Sequence, residues 1–435
     1  MNCGYGGWAV KNSRWCVGGS FERFGLRPGQ SNIGQHILPL RLYMTTTLKT
    51  PSEHHSISPS LTMLMAITCG LVVANIYYNQ PLLAEIGHSF DVADNTVSLL
   101  ATFTQVGYTL GLLFAVPLGD KVERKKLVLV MLGIAFLAML GSAIAPNFPL
   151  MLAAGLFTGI FSAVPQVLLP MAAQLAGDHE RGKVVGKIMS GLLIGILLSR
   201  TISGYVGAHF GWRIMFAAGA GIMAILSLAL VKYLPVSKPS YQGSYASLMR
   251  SLVSLARSLK PLQKTALTGC CLFAAFSVFW TTLVFFLEGA PYFYGSDMVG
   301  LFGLIGACGA LAAPLAGKSA DKRGPQFTIN LGMLAVFASF ILLGTGATHL
   351  WILVIGVILL DIGMQITHIS NQSRIFSLLP EARSRINTVY MTSAFIGGSL
   401  GSVAGSMAWA SGGWLAVCLT AISFVVAGFL PQWWK

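Results

Sequence analysis

The chain has 435 residues, of which 54% are hydrophobic and only 10% charged, against roughly 25% charged in ordinary soluble domains. So little polar surface cannot cover a water-soluble globule, and a soluble fold is excluded. The formal charge of +14 does not point to nucleic acid either, because the basic residues gather in alternate loops between apolar runs, as the positive-inside rule requires of cytoplasmic loops.

Residues 1–43 are Gly-rich, carry Trp8, Arg14, Trp15, Arg23 and Arg27, and contain no continuous apolar run. They are neither a signal peptide nor a span. Met44 then opens a short polar segment. Two readings stand: Met44 is the natural start and 1–43 a start-site artefact, or 1–43 are a disordered extension. Residues 1–60 together read as a cytoplasmic tail.

From residue 61 onward, apolar runs of about 20 residues recur, the length that crosses a bilayer as helix. Six lie at 61–86, 96–118, 127–145, 148–176, 184–209 and 214–234. A polar linker, 235–264, sets Arg250, Arg257 and Lys260 in an amphipathic Leu/Val pattern and predicts a surface helix. Six more follow at 265–288, 298–319, 327–345, 350–378, 387–410 and 414–431, leaving 432–435 as a short tail. The fold class is an all-α polytopic membrane protein of about twelve helices, in two pseudo-symmetric halves, 61–234 and 265–431.

Lys121, Arg124, Lys125 and Lys126 follow the second span, Arg181, Lys183 and Lys187 open the fifth, and Arg383 and Arg385 follow the tenth. The intervening loops carry Glu85, Asp91, Asp94, Glu288 and Asp297, with Arg213 their one basic residue. Both termini are therefore expected in the cytoplasm. Cys69, Cys270, Cys271, Cys308 and Cys418 sit inside apolar runs and Cys3 and Cys16 in the tail, with no spacing suited to zinc or a disulfide framework. No metal or other cofactor is implied.

The halves echo one another. The turn Leu118-Gly119-Asp120-Lys121-Val122-Glu123-Arg124-Lys125-Lys126 has a counterpart in Gly317-Lys318-Ser319-Ala320-Asp321-Lys322-Arg323-Gly324. His179-Glu180-Arg181-Gly182-Lys183 is matched by Glu381-Ala382-Arg383-Ser384-Arg385. Each of these precedes a span with small residues at every fourth position: Gly191, Gly195, Ser199, Ser203 and Gly207 in the fifth, Gly397, Gly401 and Gly405 in the eleventh. Such stripes let helix backbones approach closely, and their matched placement predicts a tight contact between the halves.

These turns resemble the signature of the major facilitator superfamily, the second copy more closely, since Val116 and Glu123 stand where the family pattern has Gly. Asn75-Ile76-Tyr77-Tyr78-Asn79-Gln80-Pro81-Leu82-Leu83 and Gly195-Ile196-Leu197-Leu198-Ser199-Arg200 resemble an uncharacterised bacterial branch near the drug and metabolite:proton antiporters. The resemblance implies that Asp120, Arg124, Asp321 and Arg323 act as a gate, making charge contacts that hold the cytoplasmic side closed and then break. It also implies that the first, fourth, seventh and tenth spans line a central cavity.

Polar residues in those spans are the candidate substrate contacts. In the first span Asn75, Tyr78 and Asn79 share a face at i, i+3, i+4. The fourth offers Gln166 beside Pro165 and Pro170, and the seventh Trp280 among Phe276, Phe279, Thr281 and Thr282. In the tenth, Asp361, Gln365, His368 and Gln372 align at i, i+4, i+7, i+11. Asp361 is the one acid deep inside a span, where it costs about 2.5–3.5 kcal/mol. It is either a proton-coupling group, its protonation set by opposing effects of desolvation and a nearby cation, or a permanently paired structural acid. His368 relays that proton or touches substrate. Arg200 lies deep in the fifth span, where relatives of this broad group often show Pro, and the Arg of many proton-coupled relatives is missing at Leu152-Ala153-Ala154-Gly155. Arg200 replaces that charge, pairing with an acid or an anionic substrate, or snorkels to the interface.

The reading is a monomeric secondary transporter of a bacterial inner membrane. It partners with a small-molecule substrate, protons and membrane lipid, and exports a small amphipathic solute or metabolite in exchange for protons. The alternatives are a sugar or metabolite symporter or uniporter, or, more remotely, a membrane receptor or an intramembrane enzyme. No catalytic cluster and no nucleotide-binding loop of the Gly-rich Lys-Ser/Thr type is present.

Overall fold

The computed structural model describes residues 57–176, 180–237, 243–306, 324–379 and 382–433. Among these, nine helices are long and apolar enough to cross a bilayer, and no strand occurs. One of the nine, Arg383–Phe429, is two spans joined at Gly412 and Gly413, where the backbone leaves helical geometry. Gly413 turns the corner at φ 60°, a conformation that side-chain-bearing residues avoid. Two shorter apolar helices, Pro59–Ala74 and Ser296–Ile305, stand at the first and eighth spans and bring the set to twelve. The second signature copy, with Asp321 and Arg323, lies outside the described residues, as does the stretch 1–43.

Helix ends follow the local chemistry. Ser58 accepts the Leu61 N–H at 3.2 Å ahead of Pro59, and Asn147 accepts that of Leu150 at 3.0 Å ahead of Pro149. Each satisfies a donor the helix itself cannot. The first span is discontinuous: it stops at Ala74, passes a turn and the 3₁₀ segment Gln80–Leu82, and resumes as Leu83–Phe90. The second span, Asp94–Lys121, widens into a π turn over Gly111–Ala115, just before Pro117, which has no N–H to donate. The linker carries the expected surface helix, Tyr245–Ser258, with Leu248 and Leu252 buried and Arg250 and Arg257 exposed.

The glycine stripes do not join the halves. In the fifth span, Arg181–Phe210, a Cβ on Gly195 would overlap the Gly70 carbonyl oxygen of the first span. In the eleventh, a Cβ on Gly401 would overlap the Ala274 carbonyl oxygen of the seventh span, Lys260–Glu288. Both stripes therefore lock helices within their own half, at equivalent places. Helical phase is the reason: Gly204, one position off the stripe, faces the other half and meets Ser296 and Gly300 of the eighth span.

Candidate functional site

The break in the first span turns Tyr77 and Gln80 toward the fifth. There the Arg200 side chain is only 3% exposed. Its Nε donates to Gln80 Oε1 at 2.8 Å, and its guanidinium carbon lies 4.7 Å from the Tyr77 ring centre and 4.1 Å from that of Trp280 in the seventh span. Aromatic faces attract a cation strongly when both are desolvated. Arg200 thus turns inward and does not snorkel.

Asp361, in the tenth span Leu350–Phe376, faces the same region from the other half, because Gly303 and Gly306 of the eighth span lie against Arg200 and Asp361 respectively. Among the described residues no ion pair within 4.0 Å joins them. Arg200 Nη2 and Asp361 Oδ2 are both buried without a hydrogen-bond partner in the protein, and so is Trp280 Nε1. The eighth span floors the pair with glycines: Gly303 packs on Arg200, and a Cβ on Gly306 would lie 3.1 Å from Asp361 Oδ2. Only a side-chain-free face there admits both groups.

The other expected contacts distribute unevenly. Gln365 and His368 are half-buried on the Asp361 face of the tenth span, with His368 Nδ1 3.1 Å from Tyr390 Oη. Gln166 lies toward the Asp120 turn, lining a small cavity with Asp120, Arg124, Leu252 and Arg385. Asn75, Tyr78 and Asn79 are buried between helices of their own half. Asn75 donates to Ser162 Oγ at 3.4 Å and Asn79 to Thr104 Oγ1 at 3.0 Å, while Tyr78 packs beside Gly219. The periodicity rule assumed a continuous helix; the break after Ala74 hands the inward positions to Tyr77 and Gln80, which sequence reasoning passed over. Gln80 beside Pro81, an amide at a helix break, was the signal available.

The charged turn is self-contained. Arg124 is 3% exposed; its Nε donates to the Gly119 carbonyl at 2.9 Å, Nη2 to Asp120 Oδ1 at 3.1 Å, and Nη1 to Gln174 Oε1 of the fourth span. Asp120 therefore finds its partner in its own half. At the opposite end, the halves meet directly. His88 Nε2 lies 3.5 Å from Glu288 Oε1, the Ser296 hydroxyl donates to the Glu85 carboxylate, and Trp409 Nε1 donates to Asp94 Oδ2 at 3.0 Å. Thr201, next to Arg200, donates to the Gly300 carbonyl at 2.9 Å. Deeper in, Thr102 bonds Ser402 at 2.9 Å and Ser277 bonds Gln105 at 3.2 Å, while the Tyr108 and Phe395 rings stand 4.4 Å apart.

Twelve spans in two equivalent halves, with opposed charges where the halves meet, form the architecture of a membrane transporter. Residues 65–402 match the Major Facilitator Superfamily, and the chain belongs to that family. It is 43% identical over 382 residues to the uncharacterized transporter YgaY of Escherichia coli O157:H7, covering 88% of this chain and 97% of that one. It is also 25% identical over 330 residues to a Helicobacter pylori protein named "Probable sugar efflux transporter" (75% of this chain, 82% of that one). Its fold matches the crystal structure of a bacterial homologue of the human lysosomal transporter Spinster with a TM-score of 0.71, at 13% identity, covering 87% of this chain and 96% of that one. The chain is a multi-pass membrane transporter of a small molecule, and not an enzyme.

Proposed function

We propose that this transporter exchanges a small amphipathic solute or metabolite for protons, moving the solute outward, with Asp361 as the proton-carrying group and Arg200 as its partner. The observation that carries the reading is the Arg200–Asp361 couple: one charge from each half, set on Gly303 and Gly306 of the eighth span, not in direct contact, and each with a buried atom that lacks a hydrogen-bond partner. A proton on Asp361 removes its attraction for Arg200. Arg200 adjoins Thr201, whose bond to Gly300 is part of the seam between the halves. The charge state of Asp361 is thus one residue away from a contact that must break on reorientation, and contacts of this kind shift by a few kcal/mol at most. Substrate contacts in this reading come from Trp280, Gln365 and His368, with Gln166 toward the Asp120 turn.

Basic residues crowd the Asp120 end: Lys125, Lys126, Arg181, Lys183, Lys187, Arg383 and Arg385. This supports an inner-membrane orientation with both termini in the cytoplasm. The His88–Glu288 end, where the halves are bonded to each other, then faces outward. Asp120 and Arg124, bonded to each other, form the gate at the cytoplasmic end in this reading. A monomer suffices, because the two halves complete the path. The name of the Helicobacter pylori relative favours sugar as a second substrate reading.

The test is proton flux in everted, respiring vesicles, followed with a pH-sensitive dye while cationic drugs, sugars and amino acids are added. A substrate-triggered collapse of the gradient that disappears in Asp361→Asn is the expected result. A collapse that persists undiminished in Asp361→Asn contradicts the assignment.

A further inference from the structure

Three buried polar atoms surround the point where the halves meet and have no partner in the protein: the donors Arg200 Nη2 and Trp280 Nε1, and the acceptor Asp361 Oδ2. Their complement is a group with two acceptors beside a group with a donor. Charge narrows this further. Arg200 is a permanent cation, its Nε is already taken by Gln80, and no carboxylate of the described protein pairs with it. Asp361, when ionised, has no direct cationic partner.

We propose that the transported solute is a small zwitterion of the amino-acid type, its carboxylate held by Arg200 and Trp280 and its ammonium by Asp361. The proposal rests on the Arg200–Asp361 couple being the coupling site, and it names the chemical class that site selects. A carboxylate on a guanidinium forms the stronger, charge-assisted hydrogen bonds. An indole N–H supplies the next donor, and the Trp280 ring already lies against the guanidinium. An organic anion would satisfy Arg200 but meet the repulsion of Asp361. An organic cation would satisfy Asp361 but meet the repulsion of Arg200. A neutral sugar would leave both charges without an opposite charge, which is unfavourable for buried groups. A zwitterion alone answers both. It also explains exchange: ammonium and proton compete for one carboxylate, so binding of either excludes the other. His368, the next titratable group along the same helix, is engaged with Tyr390, and Glu85 is held by Ser296 at the His88–Glu288 end. Gly303 and Gly306 present a side-chain-free face of the eighth span to Arg200 and Asp361.

The experiment uses the purified full chain in liposomes with a pH-sensitive dye inside. The probes are the standard L-amino acids, then the decarboxylated amine and the N-acetyl derivative of each responder, alongside glucose, benzoate and tetraphenylphosphonium. At least one amino acid is expected to drive proton movement; Asp361→Asn should abolish it, and loss of the Arg200 charge should weaken the half-maximal response by about tenfold or more. Arg200→Gln should abolish the preference for the amino acid over its amine, whereas Arg200→Lys, which keeps the charge, should retain part of it and shows that the fold survives. Silence to every amino acid, or an N-acetyl derivative as effective as its parent, overturns the proposal. A response to glucose or tetraphenylphosphonium alone, abolished in Asp361→Asn, overturns it while leaving proton exchange standing. Silence to every probe removes both readings.

Discussion

Contacts inside each half and contacts between the halves are built mostly from different materials. Within a half, backbone lies on backbone: Gly195 against Gly70, Gly401 against Ala274. Between the halves, apart from the close backbone approach of Gly204 to Ser296 and Gly300, hydroxyls, amides and a few charges meet: Thr102 with Ser402, Ser277 with Gln105, Thr201 with Gly300, His88 with Glu288. Close backbone packing has no alternative register without a clash. Hydroxyl bonds across membrane helices are worth only about 0.6 kcal/mol on average and exchange readily for water. The first kind makes a body; the second makes a seam that opens. The reorientation proposed for transport needs both.

The difference can be broken most severely at a stripe. Gly195→Val or Gly401→Val places a side chain into a facing carbonyl and is expected to lower stability by about 3 kcal/mol, read as loss of monodisperse protein and a lower melting temperature in detergent. Gly133→Val, where a Cβ meets nothing within 4 Å, should leave both unchanged, separating packing from glycine content. Next is Arg124→Ala. It leaves Asp120 and Gln174 without their donor and should cost about 2 kcal/mol, measured by thermal melting.

Gly306→Ala addresses the central couple. A methyl group 3.1 Å from Asp361 Oδ2 should displace the carboxylate and shift the pH at which half-maximal transport occurs, while the melting temperature moves little. An unchanged pH profile would show that Gly306 does not position Asp361.

The smallest effect belongs to the seam. His88 and Glu288 keep 73% and 39% of their side-chain surface exposed, and such a pair contributes about 0–1 kcal/mol. His88→Ala should leave stability unaltered within error but raise the rate at which that end opens, measurable as faster accessibility of Ser296→Cys to a thiol reagent.

The fold was legible in the sequence because a bilayer permits few solutions: apolar runs of spanning length must be helices, and their number and order follow by counting. The amphipathic linker helix was readable for the same reason, Leu248 and Leu252 recurring among Arg250 and Arg257. Asp361 and Arg200 were conspicuous as charges deep in spans. Two things were not legible. The partner of a small-residue stripe depends on helix rotation, which a four-residue repeat does not report, so Gly191, Gly195 and the eleventh-span glycines were assigned to the wrong neighbour. The inward face of the first span depends on a break after Ala74, so periodicity selected Asn75, Tyr78 and Asn79 where the structure brings Tyr77 and Gln80 to Arg200.

The measurement that tests the central claim most directly is a spin-label distance across the seam. Phe210 and Phe293 are 64% and 75% exposed, one in each half, and Phe210→Cys and Phe293→Cys in a background with the native cysteines replaced would carry the labels. If protonation of Asp361 governs the seam, the distance distribution of the otherwise unaltered protein shifts between acidic and alkaline buffer, and adding Asp361→Asn fixes it at one extreme at every pH. A pH-dependent shift of the same size in Asp361→Asn would contradict the account.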